Sequence, residues 1–187
     1  MSVLPVAQLW IELLADDAEA GSARAVAHDT LGAAAGLSTL RRLRLFELSG
    51  STDEKGALEA RLHRSTQFYN PHKERAVLRL RGDEPSPRRA GEHAVLVIER
   101  GATRRAAAER WWLHETGERV EVHEGVVWLL GFEEEGDVAA RVRELVTVRD
   151  RVHGLLCNPH AQDAAIARDE APLPWIERAA ARLRRMP

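Results

Sequence analysis

The sequence predicts an α+β protein in which one small folding unit is used twice: tandem ferredoxin-like units of the βαββαβ type, their antiparallel sheets packed as a pseudo-dimer, plus a C-terminal helix. Three observations carry this. The order strand, helix, strand, helix, strand runs through residues 1–81 and again through 93–168. The tripeptide Asn-Pro-His occurs at Asn70–His72 and again at Asn158–His160, 88 residues on. Between the halves, residues 82–92 carry Gly82, Pro85, Pro87 and Gly91, the clearest linker composition in the chain. Residues 169–187 then form a tail with a basic helix.

Each element has a local reason. Leu9–Leu14 reads LWIELL, a short apolar run suited to a buried strand. Asp16-Asp17 offers carboxylates to the free amides of a helix over Ala18–Leu31, which Gly32 and Gly36 can end. Leu43, Leu45 and Leu48 alternate with charge in a strand over Leu37–Leu48, and Gly50–Asp53 is a turn and cap. Leu58 and Leu62 give the helix Lys55–Arg64 one apolar face. Asn70-Pro71 breaks it, because the residue before a proline avoids helical backbone, and Ala76–Leu80 is a strand. In the second half His93–Glu99 is a strand and Thr103–His114 a helix carrying Trp111 and Trp112. Adjacent residues on a helix diverge by about 100°, so both rings are covered only if that helix packs between the halves or on a partner. Arg119–Phe132 reads as two strands, or one bent strand, turning near Gly125. Gly136-Asp137 caps a helix expected to run to His153. Ala161–Ala167 is a last strand, and a basic helix follows from Trp175 to Arg185. Two further matches support a repeat: Ile11-Glu12 with Ile98-Glu99 at a spacing of 87, and Arg61-Leu62-His63 with Arg151-Val152-His153. A half of this size has a small core, so pairing the halves stabilises both.

Composition narrows the function. The 187 residues hold 27 basic and 29 acidic side chains, for a net charge of −2. That gives no electrostatic reason to expect nucleic acid or an anionic membrane as partner. A single cysteine, Cys157, cannot form an internal disulfide and suits a reducing compartment. The N-terminus lacks the basic start and apolar stretch of a signal peptide, and no apolar run approaches the roughly 20 residues that span a bilayer. A cytoplasmic protein is expected.

The candidate site residues cluster in the repeated tripeptide. Asn70, His72, Lys73 and Arg75 lie in the segment NPHKER, with Asn158 and His160 in its counterpart. Such a loop can hold an anion or a partner's acidic group, or serve only as a tight helix-to-strand connection. The spacing of His153, Cys157 and His160 suggests metal ligation, but structural zinc usually takes four ligands and Tyr69 stands where Cys157 does, so no metal is expected. His114, His123 and Glu124 have the chemistry of acid–base groups, with nothing in the sequence to position them. Neither a phosphate-binding glycine loop nor a GxSxG elbow occurs.

Leu37–Leu48 resembles the second-strand region of the PurS family, the small subunit of bacterial and archaeal phosphoribosylformylglycinamidine synthase. That family shows a hydrophobic residue, two variable residues, a second hydrophobic residue and arginine, then a Gly-Lys pair and a strand. Leu37, Leu40 and Arg41 fit, and Arg44 stands where the lysine would be. Leu43 departs from the glycine. The helices before and after this strand are similar in place and length, and each half is close to one PurS chain in length. The resemblance implies a covalent pseudo-dimer without cofactor, a non-catalytic subunit that bridges a glutaminase and an ATP-dependent synthetase and helps ammonia pass between them. Arg41 and Arg44 are then candidate partner contacts, and association with further copies is open. Two other expectations stand beside it: a small-ligand or regulatory module with a site between the repeats near the two Asn-Pro-His loops, and an enzyme using His72 or His160 in acid–base chemistry.

Overall fold

The computed structural model describes residues 5–133, 136–167 and 169–183. Its strands are β1 (Val6–Leu13), β2 (Leu37–Ser49), β3 (Glu74–Arg79), β4 (Glu92–Glu99), β5 (Glu121–Phe132) and β6 (Gln162–Ile166). They form one six-stranded sheet in the order β3-β1-β2-β5-β4-β6, and every neighbouring pair is antiparallel. The helices are α1 (Ala18–Thr30), α2 (Lys55–Arg64), α3 (Ala106–Thr116), α4 (Val138–Val146) and α5 (Ile176–Leu183), with a 3-10 turn at Gly32–Ala34. The fold is therefore mixed α/β.

The strand order reads the same from either edge when β1, β2 and β3 exchange with β4, β5 and β6. The halves meet along β2 and β5, in a ladder from Leu37 opposite Phe132 to Ser49 opposite Glu121. This corrects the expectation of two sheets packed on one another. The sheet is continuous, and the β2–β5 ladder satisfies backbone groups that two separate sheets would leave on open edges. Each half also contributes three strands, not the four of a βαββαβ unit.

Hydrogen-bond register gives a residue-by-residue correspondence. The Leu14 amide donates to Lys73 O at 2.9 Å, and the Arg100 amide donates to Ala161 O at 3.0 Å. β1 thus maps onto β4 with a shift of 86 and β3 onto β6 with a shift of 88. The ladders of β1 with β2 and of β4 with β5 then map β2 onto β5 with a shift of 82. Arg44 and Val126, which are paired, exchange with each other, so a pseudo-twofold axis passes between them. The Ile-Glu match at 87 is consequently one residue out of register. Ile11 packs with Leu9 and Leu58 on one face, whereas Ile98 packs with Leu96 and Trp175 on the other. A one-residue slip in a strand exchanges its faces.

Four helices cover one face in a crossed arrangement. α1 and α4 pack over Val95, Val97, Trp128 and Leu130, while α2 and α3 pack over Leu9, Ile11, Phe46 and Leu48. The first helix of each half thus rests on its own half's central strand and joins a core shared with the other half. Trp112 is fully buried there, and its neighbour Trp111 packs edge-on to Phe68 at 6.3 Å. Burying a side chain of this kind stabilises by about 1.5–3 kcal/mol. α5 and the Trp175 that precedes it cover the second face, with Trp175, Ile176 and Ala179 against Trp10, Leu45, Leu96 and Leu129.

Boundaries shift where local signals mislead. Helix α2 spans the expected residues, and Asp17 caps α1 by accepting from the amides of Glu19 and Ala20. Gly125 is not a turn: β5 runs straight through it. A Cβ there would stand 2.8 Å from Leu96 Cδ1, so glycine lets β4 side chains lie flat over β5. Helix α4 stops at Val146, well short of His153, because Thr147 turns out to bridge Cys157. Arg61-Leu62-His63 lies in a helix and Arg151-Val152-His153 in a loop, so those triplets do not correspond. The linker is packed, with Ser86 buried and its amide donating to Glu170 Oε1 at 3.1 Å. The expected helix beyond Leu183 lies outside the described residues.

Candidate functional site

Arg41 and Arg44 project from β2 to opposite faces of the sheet, because they are an odd number of residues apart. They cannot share one partner surface. Arg41 is 13% exposed and spans both halves: it binds Glu12 of β1 at 2.8 Å and Glu92 of β4 at 2.8 Å. Glu12 also takes Arg75, and the pair is short. Burial opposes ionisation of Glu12, but the guanidiniums of Arg75 and Arg41 outweigh it and hold the carboxyl below its ordinary range. Burial likewise opposes the charge on Arg41, yet Glu92 and Glu12 keep its pKa above the ordinary value. Arg44 donates to Phe68 O at 3.0 Å and Glu74 Oε1 at 2.8 Å, lies 3.7 Å from Glu124, and stacks 5.5 Å over the Phe46 ring. Both arginines thus tie strands and loops of this chain together.

The two Asn-Pro-His loops have the same construction. Asn70 Oδ1 accepts from the His72 amide at 3.0 Å, and Asn158 Oδ1 accepts from the His160 amide at 3.0 Å. The Asn70 amide donates to Glu74 at 2.7 Å, and the Asn158 amide donates to Gln162 at 3.0 Å. These asparagines close turns that start the edge strands. His72, Lys73, Arg75 and His160 are exposed. The loops open β3 and β6, on opposite edges of the sheet, about five strand spacings or ~24 Å apart. They do not face one groove, which corrects the expectation of a ligand between them. His153 pairs with Asp150 in an exposed loop, and burial pushes the Cys157 thiol up. The structure does not bring those two together with His160 as a ligand set; among the described residues no group of three His, Cys, Asp or Glu side chains is placed to hold a metal.

Clefts lie elsewhere. One of about 660 Å³ runs between α2 and the edge strand β3, floored by Leu9, Leu62 and Leu78. Its rim carries His63, whose Nδ1 lies 3.0 Å from the Tyr69 hydroxyl. Its counterpart, of about 350 Å³, lies between α4 and β6, with Cys157 in the place of Tyr69. A third cavity, of about 170 Å³, sits beside the pseudo-twofold axis and is lined by Trp128, Glu99, Glu124, Arg105 and Gln162 of the second half and Glu19 of the first.

Sequence reasoning missed a buried polar cluster on the second face. Glu47 accepts from Gln8 Nε2 at 2.8 Å and from the amides of Ile176 and Glu177 at 3.0 and 3.3 Å, and closely from the Trp175 amide. Its carboxylate therefore caps α5. Arg79, fully buried, donates to Gln8 Oε1 at 2.8 Å and to Ala171 O at 3.2 Å. Burial pushes the Glu47 carboxyl up against these hydrogen bonds. The available signal was parity: Glu47 shares a strand face with Leu43 and Leu45, and a carboxylate in an apolar row needs a buried partner.

No protein-family model matches the chain, and comparison with the curated proteins and with the solved structures gives no match either. Among the described residues no helix is long and apolar enough to cross a membrane.

Proposed function

We propose that the chain is a covalent pseudo-dimer of two PurS-like βαβαβ units, acting in the cytoplasm as a non-catalytic accessory subunit that bridges a glutaminase and an ATP-dependent synthetase in purine biosynthesis. The observation that carries this is the strand order β3-β1-β2-β5-β4-β6, together with the two identically bonded Asn-Pro-His turns. A duplicated unit that joins its copies through one sheet produces that order directly. The test is affinity purification of the tagged full-length chain from its native cell. Enrichment of a glutaminase and a synthetase is expected; a preparation that carries neither overturns the assignment. A second reading, a small-ligand binding module, is favoured by the cavity beside the axis, whose walls come from both halves.

A further inference from the structure

We propose that the cavity beside the pseudo-twofold axis binds a guanidinium group. It is the counterpart, in the second half, of the place that the Arg44 side chain fills in the first. The inference specifies the ligand chemistry of the second reading above and is independent of the accessory-subunit role; it needs only the geometric correspondence, not a common origin for the halves.

The correspondence is direct. The shift of 82 carries Arg44 to Val126 and Phe46 to Trp128, and the shift of 88 carries Phe68 to Leu156 and Glu74 to Gln162. Val126, Trp128, Leu156 and Gln162 all line the cavity. In the first half, the guanidinium of Arg44 occupies this place, over an aromatic ring and against a carboxylate. In the second half valine is too short to reach it, and about 170 Å³ is open, roughly six water volumes at ~30 Å³ each.

The walls keep the chemistry of a cation site while moving its charge. Glu74 uses one oxygen for the Asn70 amide and the other for Arg44. Gln162 uses its oxygen for the Asn158 amide, and its Nε2 donates to Glu99 Oε1 at 2.6 Å. The amide thus holds the Glu99 carboxylate at the cavity wall, one step beyond where Glu74 stands. Leu13 occupies the position of Glu99 in the first half, so this carboxylate belongs to the second half alone. Glu124, already 3.7 Å from Arg44, and Glu19 add two more carboxylates. Arg105 forms part of the wall but is paired with Glu124 at 2.6 Å, and Glu19 is paired with Arg42 at 2.7 Å. Glu124 and Glu19 are thus already matched by guanidiniums of this chain, and Glu99, held among the described residues by the Gln162 amide alone, is the carboxylate left for a further cation; the Trp128 indole favours a flat, weakly hydrated one that stacks on an aromatic face.

The test uses the full-length protein and the Trp128 indole N–H resonance, assigned through Trp128→Phe. Methylguanidinium is titrated beside N-methylurea, which has a similar shape without charge. A saturable shift with methylguanidinium and none with N-methylurea is expected. Glu99→Gln, at an exposed position that leaves the fold intact by circular dichroism, weakens the binding about 3–10-fold. A blocked Gly-Arg-Gly peptide distinguishes the source: tighter binding than methylguanidinium assigns the site to a partner's arginine side chain, weaker binding to a free small cation, and both support the site. No saturable methylguanidinium shift up to about 100 mM, equal shifts with N-methylurea, or unchanged affinity in Glu99→Gln overturns the proposal. Saturable binding of N-methylurea would still leave the binding-module reading standing; silence from every probe removes both.

Discussion

Replacing Arg41 by methionine tests whether this residue serves the sheet or an external partner. The side chain is 13% exposed and is held between Glu12 and Glu92, whose carboxylates are 17% and 3% exposed. Methionine keeps the stem but leaves the Glu92 carboxylate, donated to by the Arg89 amide, without its guanidinium. Removing one partner of a buried ion pair costs about 3–5 kcal/mol. Glu12 retains Arg75, an exposed arginine that contributes little, so the lower part of that range applies. About 3 kcal/mol in a chain of this size corresponds to a melting temperature lower by roughly 6–12 °C. The pH dependence adds a sign. The folded pKa of Glu12 is depressed, so its contribution is present at neutral pH and is lost as the pH falls through that lowered value. The difference between parent and Arg41→Met should therefore be largest near neutrality and shrink in acid. Urea unfolding of both proteins at neutral pH and in acid measures it. A variant within about 0.5 kcal/mol of the parent at neutral pH, the ordinary range for exposed positions, would refute the structural role and return Arg41 to the partner surface.

Two further perturbations follow from the packing. Gly125→Ala sets a methyl group 2.8 Å from Leu96 Cδ1 and 3.2 Å from Val97 O, and a loss of about 1–3 kcal/mol in denaturant unfolding is expected; a neutral result would mean that β4 gives way freely. Glu47 has a raised folded pKa, so its contribution is present below the unfolded value and is lost as the pH rises through the folded one. Glu47→Gln should flatten that loss, read as slower proteolysis between residues 169 and 175 as the pH rises; an unchanged pH profile would show that Glu47 does not govern the docking of α5.

Local rules recovered most elements because the signals for them are local. The carboxylate of Asp17 and the spacing of Leu58 and Leu62 need no knowledge of the rest of the chain. Gly125 misled because a glycine in a strand has two meanings, a turn or a close approach, and only the position of Leu96 decides between them. Helix α4 was overextended because its periodicity gives no sign that Thr147 will meet Cys157. The site was less legible than the fold. Arg41 meets Glu92 across three strands and 51 residues, and Arg44 meets Glu74 across 30, so neither pairing leaves a trace in sequence spacing. The doubled Asn-Pro-His loops were legible, but their positions at opposite corners depend on strand order.

The pairing of Arg44 with Val126 at the axis bears on why both halves sit on one polypeptide. Two first halves assembled in the same way would set guanidinium against guanidinium at the very centre, and like charges directly opposite in a sheet repel. Two second halves would leave valine facing valine, with the first half's guanidinium missing from both sides. The first segment is therefore a poor mate for its own kind, and Val126 gives Arg44 an uncharged neighbour across the axis. A single polypeptide guarantees the mixed match in every molecule synthesised.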